Sequence, residues 1–341
     1  MTQPILGLTM GDPAGVGPEI VLKALRDLAP REAAGEFSLV TIGTASCMAD
    51  AAQRLGLPAK ITAEGGGWPE VRLIEAATSK EAIAPGKLSA EAGRLAFAAI
   101  EQAVQLALEG RIDGIVTAPI NKEALNKAGY AYPGHTEILA ELTGSKGSCM
   151  MLAHDRLKVT HVSTHVALAD APKRVTPERL RRVFTLTHEA LLDLGIEKPR
   201  IGVCALNPHA GEGGLFGRED QDIVAPAIEE FRAKGFAIEG PVPADTIYVK
   251  ALAGQFDAVV AMYHDQGHVA VKTLGFAMDP QTGLMSSLSG VNVTLGLPII
   301  RTSVDHGTAF DIAGQGIANA ASMIEAIEFA AQMARALANR R

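Results

Sequence analysis

The chain has 341 residues, of which 48% are apolar and 20% are charged, and its formal net charge is −7. This length exceeds what one core normally serves and predicts two domains, and the composition is typical of globular proteins. The negative charge argues against nucleic acid or an anionic membrane as a partner, which leaves small metabolites as the expected ligands.

Targeting and disulfide signals are both missing from the sequence. The start, MTQPILGLTMGD, has no basic segment, and no apolar run approaches the roughly 18 residues of a membrane span. Cys47, Cys149 and Cys204 are far apart and form no Cys-x-x-Cys motif, which predicts free core thiols in a reducing compartment. We therefore expect a cytoplasmic protein.

Strand-like and helix-like segments alternate along the chain. The first third contains PILGLTM, PEIVLKALRDL, FSLVTIG, SCMADAAQRLG, AGRLAFAAIEQAVQLALEG and IDGIVTAP. The middle continues with LKVTHVST, PERLRRVFTLTHEALLDLG, RIGVCALN, DQDIVAPAIEEFRAKG and FDAVVAMYH, and NAASMIEAIEFAAQMARALANRR predicts a last helix. This alternation predicts an α/β fold, in which helices cover a parallel sheet.

Two segments rich in glycine, proline and polar residues are candidate joins between domains. They are NKAGYAYPGHTE and GFAMDPQTGLMSSLSG, and the second would return the chain to the first domain. We therefore expect a discontinuous domain of residues 1–129 plus 281–341 and a second domain of residues 130–280.

Three histidines each follow a predicted strand. His165 comes after LKVTHVST, His209 after IGVCALNP and His264 after DAVVAMY. Ligands of open α/β sheets bind at the carboxyl ends of the strands, where these imidazoles would meet. Three neutral imidazoles suit Zn²⁺ or Co²⁺ and leave positions open for a substrate. The alternative is that each imidazole only satisfies a loop hydrogen bond.

Several further polar residues are candidates for substrate binding. His135 and Thr136 lie in GHTE, a glycine-preceded turn that suits either substrate hydrogen bonding or a helix cap. Lys272, Asn292 and Arg301 could bind a phosphate or carboxylate near the metal, although each could also be a solvated surface residue.

The remaining histidines are weaker candidates. His264 and His268 have the i,i+4 spacing of one helix face, but Gly267 between them weakens a helix, so we do not expect His268 to be a ligand. The others show no converging partner and are expected to be surface or core residues: His154, His161 and His188. For a proton acceptor, carboxylate chemistry alone offers Asp245 and Asp265.

Two glycine-rich segments lie at opposite ends of the chain. GDPAGVGPE, residues 11–19 (the early turn), follows the first predicted strand and opens a helix. Its glycine spacing matches neither G-x-G-x-x-G nor a P-loop, so it predicts a tight connection, with a direct phosphate role left open. HGTAFDIAGQGIAN, residues 306–319 (the late loop), precedes the last helix.

Together the early turn and the late loop resemble the paired signatures of the metal-dependent β-decarboxylating dehydrogenases that act on isocitrate and isopropylmalate. A closer resemblance is to the 4-hydroxythreonine-4-phosphate dehydrogenase family. It is carried, in chain order, by GDPAGVGPEI, GHTE, STHVAL, LNPHAGEGGLFGRED, YHDQGH and VNVTLGLPIIRTSVDHGTA. The resemblance implies a two-domain α/β/α architecture of the isocitrate/isopropylmalate dehydrogenase type, without a G-x-G-x-x-G Rossmann domain, and a homodimer with its active site at the interface.

The resemblance also implies a role for each candidate site. The first domain would bind NAD through its adenosine half, at His306, Gly307, Asp311 and Asn319. Asp311 would accept a bond from the ribose 2′-hydroxyl and so favour NAD over NADP. The second domain would hold a divalent ion, zinc or alternatively magnesium or cobalt, at His165, His209 and His264. The substrate-binding residues would be His135, Thr136, Lys272, Asn292 and Arg301.

One departure from the family pattern concerns the substrate. Residues 273–291, TLGFAMDPQTGLMSSLSGV, form a longer link than in the biosynthetic members, and with His268 they resemble a branch that oxidises 4-phospho-D-threonate or 4-phospho-D-erythronate. Oxidation at C3 followed by loss of CO₂ would then give dihydroxyacetone phosphate, whereas 4-hydroxy-L-threonine 4-phosphate would give 3-amino-2-oxopropyl phosphate. Three alternatives remain: a dehydrogenase of a cyclic dihydrodiol dicarboxylate, a phosphoester metallohydrolase, and a phosphometabolite-binding protein without catalysis.

Overall fold

The computed structural model describes residues 3–278, 280 and 285–340. The strands are β1 (Ile5–Thr9), β2 (Ser38–Gly43), β3 (Lys60–Thr62), β4 (Glu70–Glu75), β5 (Gly114–Thr117), β6 (Cys149–His154), β7 (Leu157–His161), β8 (Arg200–Cys204), β9 (Ala237–Val242), β10 (Ala258–Ala261), β11 (Phe276–Met278), β12 (Met285–Leu288), β13 (Val291–Leu295) and β14 (Ile300–Val304). The helices are α1 (Gly17–Ala33), α2 (Ala45–Arg54), α3 (Ala90–Leu108), α4 (Lys122–Lys127), α5 (His135–Leu142), α6 (Ala171–Arg174), α7 (Pro177–Asp193), α8 (Ala225–Ala233), α9 (Ala244–Leu252), α10 (His264–Gly275) and α11 (Ala321–Arg340).

The chain divides into two compact units. The first comprises residues 1–146, 287–291 and 297–341, and the second comprises residues 147–286 and 292–296. The units are close to the predicted domains without being identical to them, because residues 130–146 group with the first unit and residues 281–286 and 292–296 with the second. The domain boundaries stay predictions.

The first unit is built on parallel strands in the order β3-β4-β2-β1-β5-β14. Thr9 of β1 lies opposite Thr117 of β5, and Thr117 lies opposite Ser303 of β14. The carboxyl ends of these three strands therefore reach the same edge. Helix α3 buries Phe97 and Ile100 against the sheet, which forms much of the core of this unit.

The strands of the second unit follow the order β13-β6-β7-β10-β8-β9. β6 and β7 form an antiparallel hairpin, whereas β7, β10, β8 and β9 pair in parallel. The core of this unit includes Val159, Val259 and Phe256. β11 and β12 form a separate two-stranded sheet within the long 273–291 segment, and residues 279 and 281–284 lie outside the described residues.

Three sequence predictions can be compared with this fold directly. All three cysteines are buried free thiols. The last helix is present, with Met323, Ile327 and Ala330 buried on one face. Within the described part of the chain, no helix has the length and apolar character that crossing a membrane would require.

Candidate functional site

The candidate site of the second unit lies at the carboxyl ends of adjacent parallel strands. β10 pairs with β7 on one side and with β8 on the other. His165 follows β7, His264 follows β10 and His209 follows β8. The topology therefore brings the three histidine-bearing segments to one sheet edge.

Two of these histidines line the same open cleft. His165 and His264 border a space of about 720 Å³, together with Tyr263 and Leu168. Their ring centroids are 5.9 Å apart. His264 Nδ1 lies 2.7 Å from the Asp265 carboxylate, which leaves its Nε2 as the ring nitrogen available to a metal ion.

His209 lies in a loop of unusual backbone conformation. Residues 209–213 all have positive φ angles, with His209 at 51°, and non-glycine residues pay roughly 1–2 kcal/mol each for this region. The buried carboxylate of Asp220 holds the start of the loop, because it accepts hydrogen bonds from the backbone N–H groups of Leu206 and Asn207 at 2.7 and 2.9 Å. Asp220 thus fixes the two residues that lead into the loop of His209.

Gln266 connects the ends of β8 and β10. Its Nε2 donates to the carbonyl of Ala205 at 2.8 Å, and its Oε1 accepts from the backbone N–H of Met262 at 2.7 Å. The Tyr248 hydroxyl donates to the Gln266 carbonyl at 2.6 Å. These bonds tie the segment that carries His264 to the segment that leads to His209.

Within the described residues, no three His, Cys, Asp or Glu side chains are grouped closely enough to hold a metal ion. The structure brings His165 and His264 together but does not bring His209 to them. The two imidazoles on the cleft are donors of the kind that Zn²⁺ and Co²⁺ prefer, so the residues are chemically suited to such an ion. The three-histidine assignment stays a prediction.

A buried histidine pair supports His264. The rings of His264 and His268 stack at 3.6 Å, and His268 Nδ1 lies 3.2 Å from His161 Nε2. Burial lowers the pKa of His161 to about 3 and that of His268 to about 4, so both imidazoles are neutral at neutral pH. The contact between His161 and His268 was not predicted from the sequence, because no partner for His161 could be identified there.

The expectation that Gly267 weakens a helix was wrong, because His264–Gly275 form α10. A Cβ atom at position 267 would lie 2.3 Å from His161 Nε2 and 2.8 Å from a methyl group of Val159. Glycine therefore allows the first turn of α10 to approach β7. The i,i+4 spacing in HDQGH was the signal that could have revealed this arrangement.

The first unit contains a buried cation at its sheet edge. Arg301 of β14 is 3% exposed, and its Nη2 donates to the Thr117 hydroxyl at 2.7 Å. Burial lowers the pKa of Arg301 to about 9, and the charge of Glu137 opposes this shift. His135, the first residue of α5, is kept neutral because burial and the Arg301 charge lower its pKa well below the usual range. A cation beside a neutral imidazole suits an anionic ligand.

The other predicted polar residues are distributed as follows. Thr136 follows His135 in α5, whereas Lys272 and Asn292 belong to the second unit. The Lys272 ammonium lies 4.9 Å from the centroid of the Phe276 ring. Asp245 is exposed in the first turn of α9.

The late loop contains all four predicted cofactor residues. His306 Nδ1 lies 2.9 Å from the carbonyl of its neighbour Gly307. The Asn319 side chain accepts from the backbone N–H of Ala321, which caps the start of α11. Asp311 is exposed, and none of the described residues hydrogen-bonds to its carboxylate. Its side chain is therefore accessible to a ligand.

The early turn and the late loop are in direct contact. The backbone N–H of Val16 donates to the Thr308 carbonyl at 3.0 Å. A Cβ atom at Gly15 would lie 2.8 Å from the same oxygen, so glycine is needed for the approach. The early turn and the late loop, which together carry the resemblance to the β-decarboxylating dehydrogenases, are therefore neighbours in the structure.

Known proteins resemble the chain over almost its full length. Residues 35–330 match the family model of the pyridoxal phosphate biosynthetic protein PdxA. A candidate D-threonate 4-phosphate dehydrogenase of Bradyrhizobium diazoefficiens is 59% identical over 98% of both chains, and the D-threonate 4-phosphate dehydrogenase of Cupriavidus necator is 46% identical over 97% of both. The crystal structure of 4-hydroxythreonine-4-phosphate dehydrogenase from Klebsiella pneumoniae is 42% identical, covers 97% of this chain and 98% of its own, and has a TM-score of 0.84. These similarities confirm the α/β fold predicted from the sequence.

Proposed function

Because the chain belongs to the family of the pyridoxal phosphate biosynthetic protein PdxA, we propose that it is an NAD-dependent oxidoreductase that oxidises the C3 hydroxyl of a 4-phosphorylated 3-hydroxy acid. We favour 4-phospho-D-threonate or 4-phospho-D-erythronate as the substrate over 4-hydroxy-L-threonine 4-phosphate. The names of the relatives at 59% and 46% identity support this choice, as does the long 273–291 segment.

The observation that carries the proposal is the placement of His165 and His264 on one open cleft at the strand ends. A divalent ion held there by His165, His209 and His264 would lower the pKa of the substrate hydroxyl and take up negative charge as CO₂ departs. Imidazole ligands favour Zn²⁺ or Co²⁺ over Mg²⁺.

The chain's own residues would position the substrate. Arg301, with His135 and Thr136 nearby, would bind the phosphate through charge-assisted hydrogen bonds. Lys272 and Asn292 would contact the rest of the acid. These roles explain why a guanidinium group is kept in a buried position that costs it solvation.

The two candidate carboxylates differ in their surroundings. The Asp265 carboxylate is hydrogen-bonded to His264 Nδ1, so its role would be to orient the imidazole of His264 as a metal ligand. Asp245, which is exposed in the first turn of α9, is the other candidate and would accept the proton of the C3 hydroxyl, and bound NAD would supply the hydride acceptor. Cleavage of the C1–C2 bond would then release CO₂ and, after protonation at C2, leave dihydroxyacetone phosphate.

Apolar surface residues support a homodimer. Seven of the nine large apolar side chains exposed among the described residues lie in the second unit: Leu168, Leu215, Phe216, Val249, Val269, Leu274 and Met278. A concentration of exposed apolar side chains in one unit is what burial in a subunit interface would account for. Leu168 also lines the cleft of His165 and His264, which supports an interface at the active site.

A substrate panel tests the function. The purified protein, with Zn²⁺ or Mg²⁺ and NAD, is mixed with 4-phospho-D-threonate, 4-phospho-D-erythronate, 4-hydroxy-L-threonine 4-phosphate, unphosphorylated D-threonate or a cyclic dihydrodiol dicarboxylate. We expect absorbance at about 340 nm to rise, with CO₂ release, only for the phosphorylated acids. Phosphate release without NADH would instead indicate a hydrolase, and binding without turnover a phosphometabolite-binding protein.

Histidine variants test the metal site. We expect His264→Ala to abolish turnover and to lower bound metal, because removing one ligand of three leaves a weak site. His154→Ala, which changes a histidine of β6, is the control and should keep both. Full metal content and rate in His165→Ala, His209→Ala and His264→Ala alike would contradict the metal assignment.

A further inference from the structure

A charged pair on α1 is withdrawn from solvent. Glu19 is 3% exposed, and its Oε1 lies 2.8 Å from Nζ of Lys23, one helical turn later. Exposed i,i+4 pairs of this kind contribute little to stability. A pair that is largely buried needs further hydrogen bonds to offset the loss of hydration, and the late loop supplies them.

The pair binds the backbone of the late loop at two alternate residues. Lys23 Nζ donates to the carbonyls of Gly316 and Ala318 at 2.9 and 2.7 Å. The Glu19 carboxylate accepts from the backbone N–H groups of Ala318 and Gly316 at 2.9 and 3.3 Å. The N–H and C=O groups of Gly316 and Ala318 therefore all bind one ion pair. The pair thus replaces the hydrogen bonds that a neighbouring β-strand would make to them.

The middle of the late loop is held mainly by local bonds. Residues 310–316 form turns and bends, in which the backbone N–H groups of Ile312 and Gln315 donate to the carbonyls of Ala309 and Ile312, and Ile317 is 60% exposed. At the other end of the loop, the bond from Val16 to Thr308 provides the matching attachment. Residues 309–315, which include Asp311, thus lie between two attachment points. One is the bond of Val16 to Thr308, and the other is the set of bonds of Glu19 and Lys23 to Gly316 and Ala318.

We propose that Glu19 and Lys23 are positioning residues that fix the late loop in its cofactor-binding conformation before NAD arrives. This inference rests on the proposed role of the late loop in binding the adenosine half of NAD. If loss of the pair leaves the loop in the binding conformation for only about a tenth of the time, the apparent dissociation constant for NAD rises roughly tenfold. Turnover at saturating NAD should change much less, because neither residue touches the reacting atoms.

Two variants and a matched control test the inference. Lys23→Met keeps the apolar stem and removes the ammonium group, and Glu19→Gln keeps the shape and removes the charge. Lys127→Met breaks another i,i+4 pair of the first unit, Glu123 with Lys127, which lies in the open on α4. We expect KM for NAD to rise roughly tenfold in the two variants, with kcat and KM for the phosphorylated acid close to wild type, and no change in the control.

Hydrogen exchange without substrate separates this inference from the proposed function. In the NAD-free protein, backbone amides of residues 312–319 should exchange faster in Lys23→Met than in wild type, and NAD should protect the loop in wild type. If NAD protects the loop but Lys23→Met and Glu19→Gln exchange and bind like wild type, the positioning role is wrong while the cofactor role stands. If NAD leaves the wild-type loop unprotected, the cofactor role of the loop is wrong and the inference falls with it.

Discussion

Asp12 is a carboxyl group in a place where a charge is costly. It lies in the early turn, is 0% exposed, and its Oδ1 accepts a hydrogen bond from the backbone N–H of Ala14 at 2.8 Å. None of the described residues hydrogen-bonds to Oδ2. Burial raises the pKa of Asp12 to about 6, and the Ala14 bond only partly opposes this.

The raised pKa predicts the direction of a pH effect on stability. Between about pH 4 and pH 6 the folded chain keeps the Asp12 proton and the unfolded chain releases it, so the stability contributed by the neutral carboxyl is lost as pH rises. The shift from 3.8 to about 6 corresponds to roughly 3 kcal/mol. In Asp12→Asn this loss should vanish, so that the variant gains stability relative to wild type between pH 4.5 and 7.

Urea unfolding of wild type and Asp12→Asn at pH 4.5 and at pH 7 measures the difference in the free energy of unfolding. Asp27→Asn, at an exposed position of α1, serves as the control and should show no such gain. Parallel pH profiles for Asp12→Asn and wild type would mean that Asp12 titrates as an ordinary surface aspartate.

Helix α10 can pack closely against β7 because residue 267 is a glycine and has no side chain. Gly267→Ala would normally favour a helix by roughly 1 kcal/mol. Here the added methyl group would lie 2.3 Å from His161 Nε2, and such overpacking typically costs 1–3 kcal/mol. We therefore expect Gly267→Ala to lower the free energy of unfolding and to weaken metal binding, because α10 carries His264.

A double-mutant cycle identifies the contact responsible. In a His161→Ala background, the space left by the imidazole should make Gly267→Ala less costly than in wild type. Denaturant unfolding of the four proteins gives the coupling energy. Equal costs in the two backgrounds would show that the helix does not depend on the approach to His161.

The elements differ in how far the sequence predicts them. The alternation of segments such as FSLVTIG and SCMADAAQRLG predicts β2 and α2, because hydrophobic periodicity is local. The start of α10 was missed, since the low helix propensity of Gly267 outweighed the i,i+4 histidines, and its close approach to β7 is a tertiary effect. The attachment of the late loop to Lys23 was also out of reach, because the partners are 293 and 295 positions apart.

At the scale of the whole molecule, the candidate site was predicted in part. Alternating strands and helices predict a parallel sheet, so the shared carboxyl-end edge for His165, His209 and His264 could be anticipated, whereas the order β7-β10-β8 could not. The left-handed backbone of residues 209–213 could not be anticipated, because non-glycine residues such as His209 and Ala210 rarely adopt positive φ angles. The sequence therefore indicates which residues lie at one sheet edge, but it does not indicate which of their side chains come into contact.

The proposed homodimer gives a test at this scale. Val269, on α10, is 63% exposed, and Val269→Lys would place a charge in an apolar interface. We expect light scattering after size exclusion to show the mass of a dimer for wild type and of a monomer for this variant, with loss of turnover. Leu108→Lys, at an exposed apolar position of the first unit, is the matched control and should remain dimeric. A monomeric wild type would contradict the proposal.

Because the first unit is discontinuous in sequence, its sheet cannot be completed until late in synthesis. β5 leaves the ribosome long before β14, the strand that pairs with it at Ile300–Val304. Most of the second unit, residues 147–286, is made in between, while β5 still lacks β14 as its neighbour. The edge of β5 that pairs with β14 therefore stays unpaired until β14 is made. We expect chaperones to bind the segment of β1 to β5 during synthesis and to release it once β14 has paired with β5.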